Sequence, residues 1–479
     1  MDDLNQKTVK SVMWSAVERF GSQGIQFVMS IIIARLLLPE EYGLIAMLAF
    51  FMAIAQTFVD SGFGSALIQK NDRNEIDYST AFYFNFVVAV LVYLMLFLAA
   101  PFIADFYKEE KLIDITRVVG ISVILNSFGL VQRAKLSIAL DFKKLALAST
   151  LAVFISGLLG IWMAYTGYGV WALVAQTVLN NLICNILLWT LSRWSPLWVF
   201  SKESFIALFS FGSKLLLSSL LHTVYTNLYT LVIGKFYSKQ SLGSYYQASN
   251  LATFTSNNIS AVIVRAIYPI QCSMQDDDEK LKYYFSKYLK LSCYVIFPIS
   301  VGLCALAEPL VKVVLNVQWI PAIPYIQILC IAYMWNPVMM MNSSILNVKG
   351  RSDYFLRAEV IKKIMAIIIL VTTIPFGIKI MCWGLLLYSF TDMIIITIYT
   401  KKLMGLRLLN QFKDILPIIL LTATMGLLAY GSTFLFINQV LKLLIGTFVG
   451  LVYFLTVSKI AKFEEFTFLL NLVKKQLKR

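Results

Sequence analysis

The segments "IIIARLLLPEEYG" (Ile31–Gly43) and "LVIGKFYSKQSLG" (Leu231–Gly243) share one pattern and lie 200 positions apart. In each, an apolar run is followed at the fifth position by a basic residue, Arg35 or Lys235, and the segment ends in glycine. Similarity at a fixed offset indicates an internal duplication. We therefore predict that the chain consists of two related halves.

The composition places both halves in a membrane. Of 479 residues, 59% are hydrophobic and only 14% are charged, and the mean hydropathy is +0.75. A bilayer core about 30 Å thick requires about 20 apolar residues per helix. The apolar runs predict fourteen transmembrane helices, near 12–38, 42–68, 79–104, 112–132, 145–165, 169–191, 205–234, 242–269, 284–308, 322–347, 356–376, 380–400, 414–436 and 439–458.

The predicted fold is an all-α polytopic membrane protein with two pseudo-symmetric lobes of six helices each. An even number of helices gives both lobes the same orientation, so they form parallel repeats related by an axis along the membrane normal. The predicted parts are 1–200 (helices 1–6), 201–404 (helices 7–12), 405–460 (two additional helices) and 461–479 (a cytoplasmic amphipathic tail).

The formal net charge of +15 reflects topology. With both termini in the cytoplasm, basic pairs such as Lys143–Lys144, Lys362–Lys363 and Lys401–Lys402 fall at cytoplasmic helix ends, as the positive-inside rule requires. Topology signals and attraction to anionic lipid together account for most of the charge. Nucleic acid is therefore not an expected partner, whereas the phospholipid bilayer is.

The first helix of each half carries a polar stripe. Arg19 and Gln26 belong to the stripe of helix 1, and Lys214, His222 and Tyr225 to that of helix 7. Such stripes either join helices through hydrogen bonds or line a polar cavity. Because the pattern occurs in both halves, we favour the cavity.

Three carboxylates also lie inside predicted spans: Glu18, Asp60 and Asp392. Each is a candidate to bind a coupling ion, H⁺ or Na⁺. Alternatively, each neutralises a neighbouring cation inside the protein. The sequence leaves both roles open.

The basic residues Arg19, Lys214 and Arg265 fall in the cytoplasmic half of the membrane. Guanidinium and ammonium groups bind phosphate through charge-assisted hydrogen bonds, so this set suits a diphosphate. The expected substrate-binding residues are Arg19, Lys214, Arg265, Gln26, His222 and Tyr225.

No catalytic centre is expected. The six cysteines are scattered without metal-ligand spacing, and His222 is the single histidine, so neither a metal site nor a cofactor is predicted. The external loops are short and gather no paired carboxylates, which argues against a membrane enzyme.

Several motifs occur in order along nearly the whole chain: "ARLLLPEEYGLIAM", "FVDSGFGSALIQK", "STAFYFN", "LDFKKLA", "GYGVWALV", "SLGSYYQA" and "KGRSD". Together they resemble the polysaccharide transporter family of the multidrug/oligosaccharidyl-lipid/polysaccharide exporter superfamily. Within it, the likeness is to Wzx-type flippases of undecaprenyl-diphosphate-linked repeat units for O-antigen, capsule or exopolysaccharide.

This resemblance implies a central cationic cavity, alternating access driven by a proton or sodium gradient, and residence in the bacterial cytoplasmic membrane beside the polysaccharide polymerase machinery. The alternative is a cation-coupled drug or small-molecule antiporter of the same superfamily. That class tends to bind cations in acidic cavities, whereas the cavity expected here is basic.

Overall fold

The computed structural model describes residues 21–60, 62–70 and 72–477, and for some helical residues, among them Lys214 and Arg265, the description covers the backbone only. Predictions for Glu18 and Arg19 lie outside the described residues. The described part of the chain contains helices and no strands. The predicted all-α polytopic fold class is therefore confirmed.

The helices alternate with short turns. Residues 21–36 form α1. The following helices are α2 (Pro39–Asp60), α3 (Phe63–Gln69), α4 (Glu75–Tyr107), α5 (Leu112–Phe128), α6 (Leu130–Ile138), α7 (Phe142–Tyr165), α8 (Val170–Ser192), α9 (Lys202–Phe236) and α10 (Lys239–Cys272). The later ones are α11 (Asp278–Ala305), α12 (Ala307–Leu310), α13 (Ile323–Tyr333), α14 (Asn336–Val348), α15 (Ser352–Thr373), α16 (Ile378–Met404), α17 (Leu408–Ser432), α18 (Gln439–Ile460) and α19 (Glu464–Leu477).

The start of α4 shows how local sequence sets a helix boundary. The Asn74 side chain accepts a hydrogen bond from the Asp77 backbone N–H, and the Asp77 carboxylate accepts one from the Asn74 backbone N–H, which makes a capping box. The same carboxylate lies 2.8 Å from the Lys70 ammonium. The helix start is therefore tied to the end of α3.

Eleven helical segments among the described residues are long and apolar enough to cross a membrane. They correspond to eleven of the predicted spans. The other three predicted spans overlap α1, α10 and α15. Many serines, asparagines and glutamines occur in α10, and α15 carries several charged residues. The total of fourteen stays a prediction.

Packing divides the chain into two compact units, Met1–Gly243 and Ser244–Arg479. In the first unit, α7 packs on α8, α4 on α5, and α2 on α9. In the second unit, α11 packs on α17, α17 on α18, and α15 on α16. The repeat boundaries at residues 200, 404 and 460 describe sequence similarity rather than packing, and they stay predictions.

The two glycines that end the repeated segments contact each other's helices within the first unit. A Cβ atom on Gly43 would lie 1.9 Å from the carbonyl oxygen of Lys239, and one on Gly243 would lie 1.8 Å from the carbonyl oxygen of Pro39. Pro39 and Lys239 are themselves matched positions of the repeat. The start of α2 and the start of α10 therefore cross backbone against backbone through equivalent residues.

The C-terminal helix α19 docks on the second unit. Phe463, Phe466 and Leu469 pack against its hydrophobic core. On the neighbouring surface, the Lys287 ammonium lies 5.6 Å from the centre of the Phe468 ring. Part of the apolar face predicted for the tail is thus covered by protein.

Candidate functional site

The three predicted phosphate-binding cations are not described as side chains. Arg19 lies outside the described residues, and only the backbones of Lys214 in α9 and Arg265 in α10 are described. Their proposed cluster therefore stays a prediction. The described polar groups around α2 and α9 define the surroundings of Lys214.

A chain of hydrogen bonds joins α5 to the end of α2. The Asn126 side-chain amide donates to Gln56 Oε1 at 2.9 Å, and the Gln56 amide donates to Asp60 Oδ1 at 3.1 Å. Asp60, one of the predicted ion-coupling residues, thus has a neutral amide partner. These three residues, Asn126, Gln56 and Asp60, form a polar strip. The strip lies within two candidate membrane spans, Pro39–Gln69 and Leu112–Ile138.

Helix α9 contacts α2 and the turn that follows it. The hydroxyl groups of Thr57 and Thr223 are 3.0 Å apart. A Cβ atom on Gly62 would lie 2.6 Å from the Gly212 carbonyl oxygen, so the backbones meet there with no room for a side chain. The Gly212 contact places the Lys214 backbone beside the end of α2, close in sequence to Asp60.

The remaining predicted binding residues of the first unit are accessible. Gln26 on α1 and His222 on α9 are exposed, and Tyr225 is half-buried. His222 precedes Thr223, which contacts α2, whereas Tyr225 lies further along the same helix. The structure thus brings the polar stripe of α9 next to the helix that carries Asp60.

Arg133 is a candidate site residue that lies outside the predicted spans. The predicted span ended at residue 132, but the structure extends the membrane-length segment to Ile138, and this places the exposed Arg133 inside it. Its guanidinium lies 3.9 Å from Cys184 Sγ and interacts electrostatically with the Asp60 carboxyl. The polar residues of α6 interrupt the apolar run, and the signal that continues the helix is the three-residue spacing of its buried residues Val131 and Ala134.

Asp392 in the second unit has a buried lysine partner. The Lys362 ammonium lies 3.1 Å from the Asp392 carboxylate and also contacts the Glu359 carboxylate. Lys362 is 4% exposed and Asp392 is 9% exposed. Lys363 lies 3.7 Å from Glu359 and completes a cluster of two cations and two carboxylates. The prediction that Lys362 lies at a helix end is wrong, because it lies in the middle of α15 with its ammonium buried between α15 and α16.

The "KGRSD" motif forms an ion-paired turn between α14 and α15. Lys349 lies 2.5 Å from the Asp278 carboxylate. Arg351 donates two hydrogen bonds to Asp353, at 2.8 Å and 2.7 Å, and its guanidinium lowers the pKa of Asp353 to about 2. The charges of this motif are thus paired with each other and with α11.

These features define a class: a polytopic helical membrane protein with polar and charged side chains inside its membrane-spanning segments. The chain belongs to the polysaccharide biosynthesis protein family, because the family's sequence model matches residues 32–324, which is more than half of its length. The resemblance suggested by the motifs is confirmed.

Relatives and a solved structure agree with this assignment. The teichuronic acid biosynthesis protein TuaB of Bacillus subtilis (strain 168) is 26% identical over 437 residues, which cover 90% of each chain. The lipopolysaccharide biosynthesis protein WzxC of Escherichia coli (strain K12) is 26% identical over 370 residues, which cover 76% of this chain and 74% of the relative. The lipid II flippase MurJ in an inward-closed conformation matches with a TM-score of 0.77 and 13% identity, and the match covers 94% of this chain and 98% of that one.

The MurJ match shows the fold, since its sequence identity is low. The chain therefore combines membership of a polysaccharide biosynthesis protein family with the fold of MurJ.

Proposed function

We propose that the protein is a flippase. It moves undecaprenyl-diphosphate-linked oligosaccharide repeat units from the inner to the outer leaflet of the bacterial cytoplasmic membrane by alternating access. Both termini lie in the cytoplasm, and the flipped unit is delivered to the polysaccharide polymerase machinery. Family membership supports this proposal, and the polar strip of Asn126, Gln56 and Asp60 inside membrane spans carries it.

The physical task is to replace water around a glycan diphosphate. Moving hydroxyl groups into hydrocarbon without hydrogen-bond partners costs several kcal/mol each, and an unpaired charge costs far more. Amide and hydroxyl groups along α2, α5 and α9 offer substitutes for water. Arg19, Lys214 and Arg265 are the proposed diphosphate ligands, and Gln26, His222 and Tyr225 the proposed glycan contacts.

Arg133 is added to the proposed ligands because its exposed guanidinium lies near the polar strip. Loss of one charge-assisted hydrogen bond costs about 1.5–3 kcal/mol, which corresponds to about a 10- to 100-fold loss of binding. We expect Arg19→Ala, Lys214→Ala and Arg133→Gln each to lower surface-polysaccharide export by at least about 10-fold at unchanged protein level. Export is measured in cells that depend on this chain.

Lys379→Ala is the matched control. Lys379 is an exposed lysine at the start of α16, far along the chain from the polar strip, and its replacement should leave export unchanged. Normal export in both the Arg19 and Lys214 variants would contradict the site assignment. Dye efflux without a change in surface polysaccharide would favour the antiporter instead.

We also propose that an H⁺ or Na⁺ gradient drives transport, and that Asp392 binds the ion in competition with Lys362. Asp60 and Glu18 are the other candidates. Removing Lys362 alone leaves the buried Asp392 carboxylate without its 3.1 Å partner and should destabilise the protein by about 3–5 kcal/mol. Replacing Lys362 and Asp392 together with apolar residues is often neutral, and Glu359 keeps Lys363 as a partner at 3.7 Å. The double variant Lys362→Met with Asp392→Leu therefore separates folding from coupling.

Flipping of a fluorescent lipid-linked oligosaccharide is measured in proteoliposomes with and without an ion gradient. We expect the double variant to fold and to flip the lipid at equilibrium, but to gain nothing from the gradient. A gradient response equal to that of the wild type would remove Asp392 from the coupling candidates.

A further inference from the structure

A crevice of about 650 Å³ lies where α18 meets α19 in the second unit. It combines two lysines with apolar walls. Its lining residues are Leu455, Thr456, Lys459, Ile460, Lys462 and Phe466. This site is separate from the polar strip of the first unit.

The corner that presents the two lysines is held firmly. The Tyr294 hydroxyl on α11 donates a 2.6 Å hydrogen bond to Ser458 Oγ, and both residues are buried. The centres of the Phe463 and Tyr294 rings are 5.9 Å apart. Between these anchors, Lys462 adopts a left-handed backbone with φ of 53°, which is uncommon for a residue other than glycine. The turn direction is therefore set by packing.

Neither lysine has a carboxylate within ion-pair distance in the part of the chain that the structure describes. Glu464 and Glu465 follow at the start of α19, where the helix dipole favours carboxylates. Neither glutamate lines the crevice. An anion would therefore be held by direct contact with Lys459 and Lys462.

The apolar walls indicate an amphiphilic ligand. Gln439–Ile460 is a candidate membrane span, and the crevice lies at its C-terminal end. The end of a spanning helix is where lipid headgroups meet the protein. Ile460 is 74% exposed and Leu455 is 49% exposed, and both continue the lipid-facing surface of α18. A free anion would leave this surface uncovered.

We propose that the crevice binds an anionic phospholipid of the inner leaflet. Its phosphate accepts charge-assisted hydrogen bonds from the Lys459 and Lys462 ammonium groups. Its acyl chains run along Leu455 and Ile460, and Phe466 of α19 closes the opposite wall. The bound lipid thereby joins the C-terminal helix to the membrane span that precedes it.

The test is lipid retention by the purified full-length protein. The protein is delipidated in detergent, titrated with phosphatidylglycerol or phosphatidylcholine, and examined by native mass spectrometry. We expect phosphatidylglycerol to bind more tightly than phosphatidylcholine. The double variant Lys459→Gln with Lys462→Gln should weaken phosphatidylglycerol binding by about 30-fold, as the contribution of two juxtamembrane lysines implies.

Lys442→Gln is the matched control, because Lys442 lies near the other end of α18 and does not line the crevice. Lys459→Arg with Lys462→Arg should retain binding. Equal retention of both lipids, or wild-type binding by the glutamine double variant, would overturn the proposal.

Competition with inorganic phosphate distinguishes a lipid site from a site for free phosphate. Complete displacement of phosphatidylglycerol by millimolar phosphate would indicate a phosphate site and would also overturn the proposal. Should the glutamine variant fail to fold, the wild type decides alone, because phosphatidylglycerol binding must weaken as sodium chloride is raised.

Discussion

Gly43→Ala tests the crossing of α2 and α10. The new Cβ would lie 1.9 Å from the Lys239 carbonyl oxygen and 2.6 Å from its carbonyl carbon, whereas ordinary contacts begin at 3.4 Å. The two helices would have to separate by about 1.5 Å. Overpacking by added methyl groups typically costs about 1–3 kcal/mol. Because the obstacle is backbone that cannot change rotamer, we expect at least the upper end of that range.

The assay is unfolding of the purified protein in detergent, followed by tryptophan fluorescence. Gly243→Ala should cost a similar amount, since its Cβ would lie 1.8 Å from the Pro39 carbonyl oxygen. The double variant should cost clearly less than the two single losses added, because helices already separated by one methyl group have room for the other.

Gly431→Ala is the control, because a Cβ there meets no atom within 4 Å. An alanine in this helix should be neutral or stabilising by up to about 1 kcal/mol. Wild-type stability of Gly43→Ala, or simple additivity in the double variant, would refute the proposed crossing.

Two further predictions concern buried polar contacts in the second unit, and both are checked by the same unfolding assay. Asn342 exchanges two hydrogen bonds with Gln411, at 2.8 Å and 3.1 Å, and accepts a third from Thr400 at 2.8 Å. Asn342→Ala should lower the free energy of unfolding by about 1–3 kcal/mol, because it leaves buried polar groups unsatisfied. A loss below about 0.5 kcal/mol would contradict this prediction. Tyr294→Phe and Ser458→Ala remove the two ends of one buried 2.6 Å hydrogen bond. A double-mutant cycle should therefore show a coupling of about 1 kcal/mol, and zero coupling would exclude the bond.

The helices could be predicted because each depends on a local run of residues. Eleven predicted spans coincide with described helices of membrane length, since hydropathy measures how a segment partitions into lipid. The predicted span ends at residue 132, among polar residues, and so leaves out Arg133. A charge at the edge of an apolar run does not reveal its depth, because depth depends on neighbouring helices.

The partners of the buried charges could not be predicted. Lys362 and Asp392 are 30 positions apart on different helices, and no periodicity links them. The amide chain from Asn126 through Gln56 to Asp60 spans an even larger separation. Each contact depends on the distance and rotation between two helices, which side-chain packing sets.

The sequence alone determined that this chain is a helical membrane protein, and its matched segments marked Gly43 and Gly243 as related positions. Only the tertiary structure decided that these glycines pack against each other's helices, that Lys362 neutralises Asp392, and that Arg133 belongs to a helical segment of membrane length. The physical reason is that the free energy of transferring a segment into lipid is nearly a sum over the residues of that segment. A contact between helices instead requires residues that are distant in the chain to meet at separations of a few ångströms.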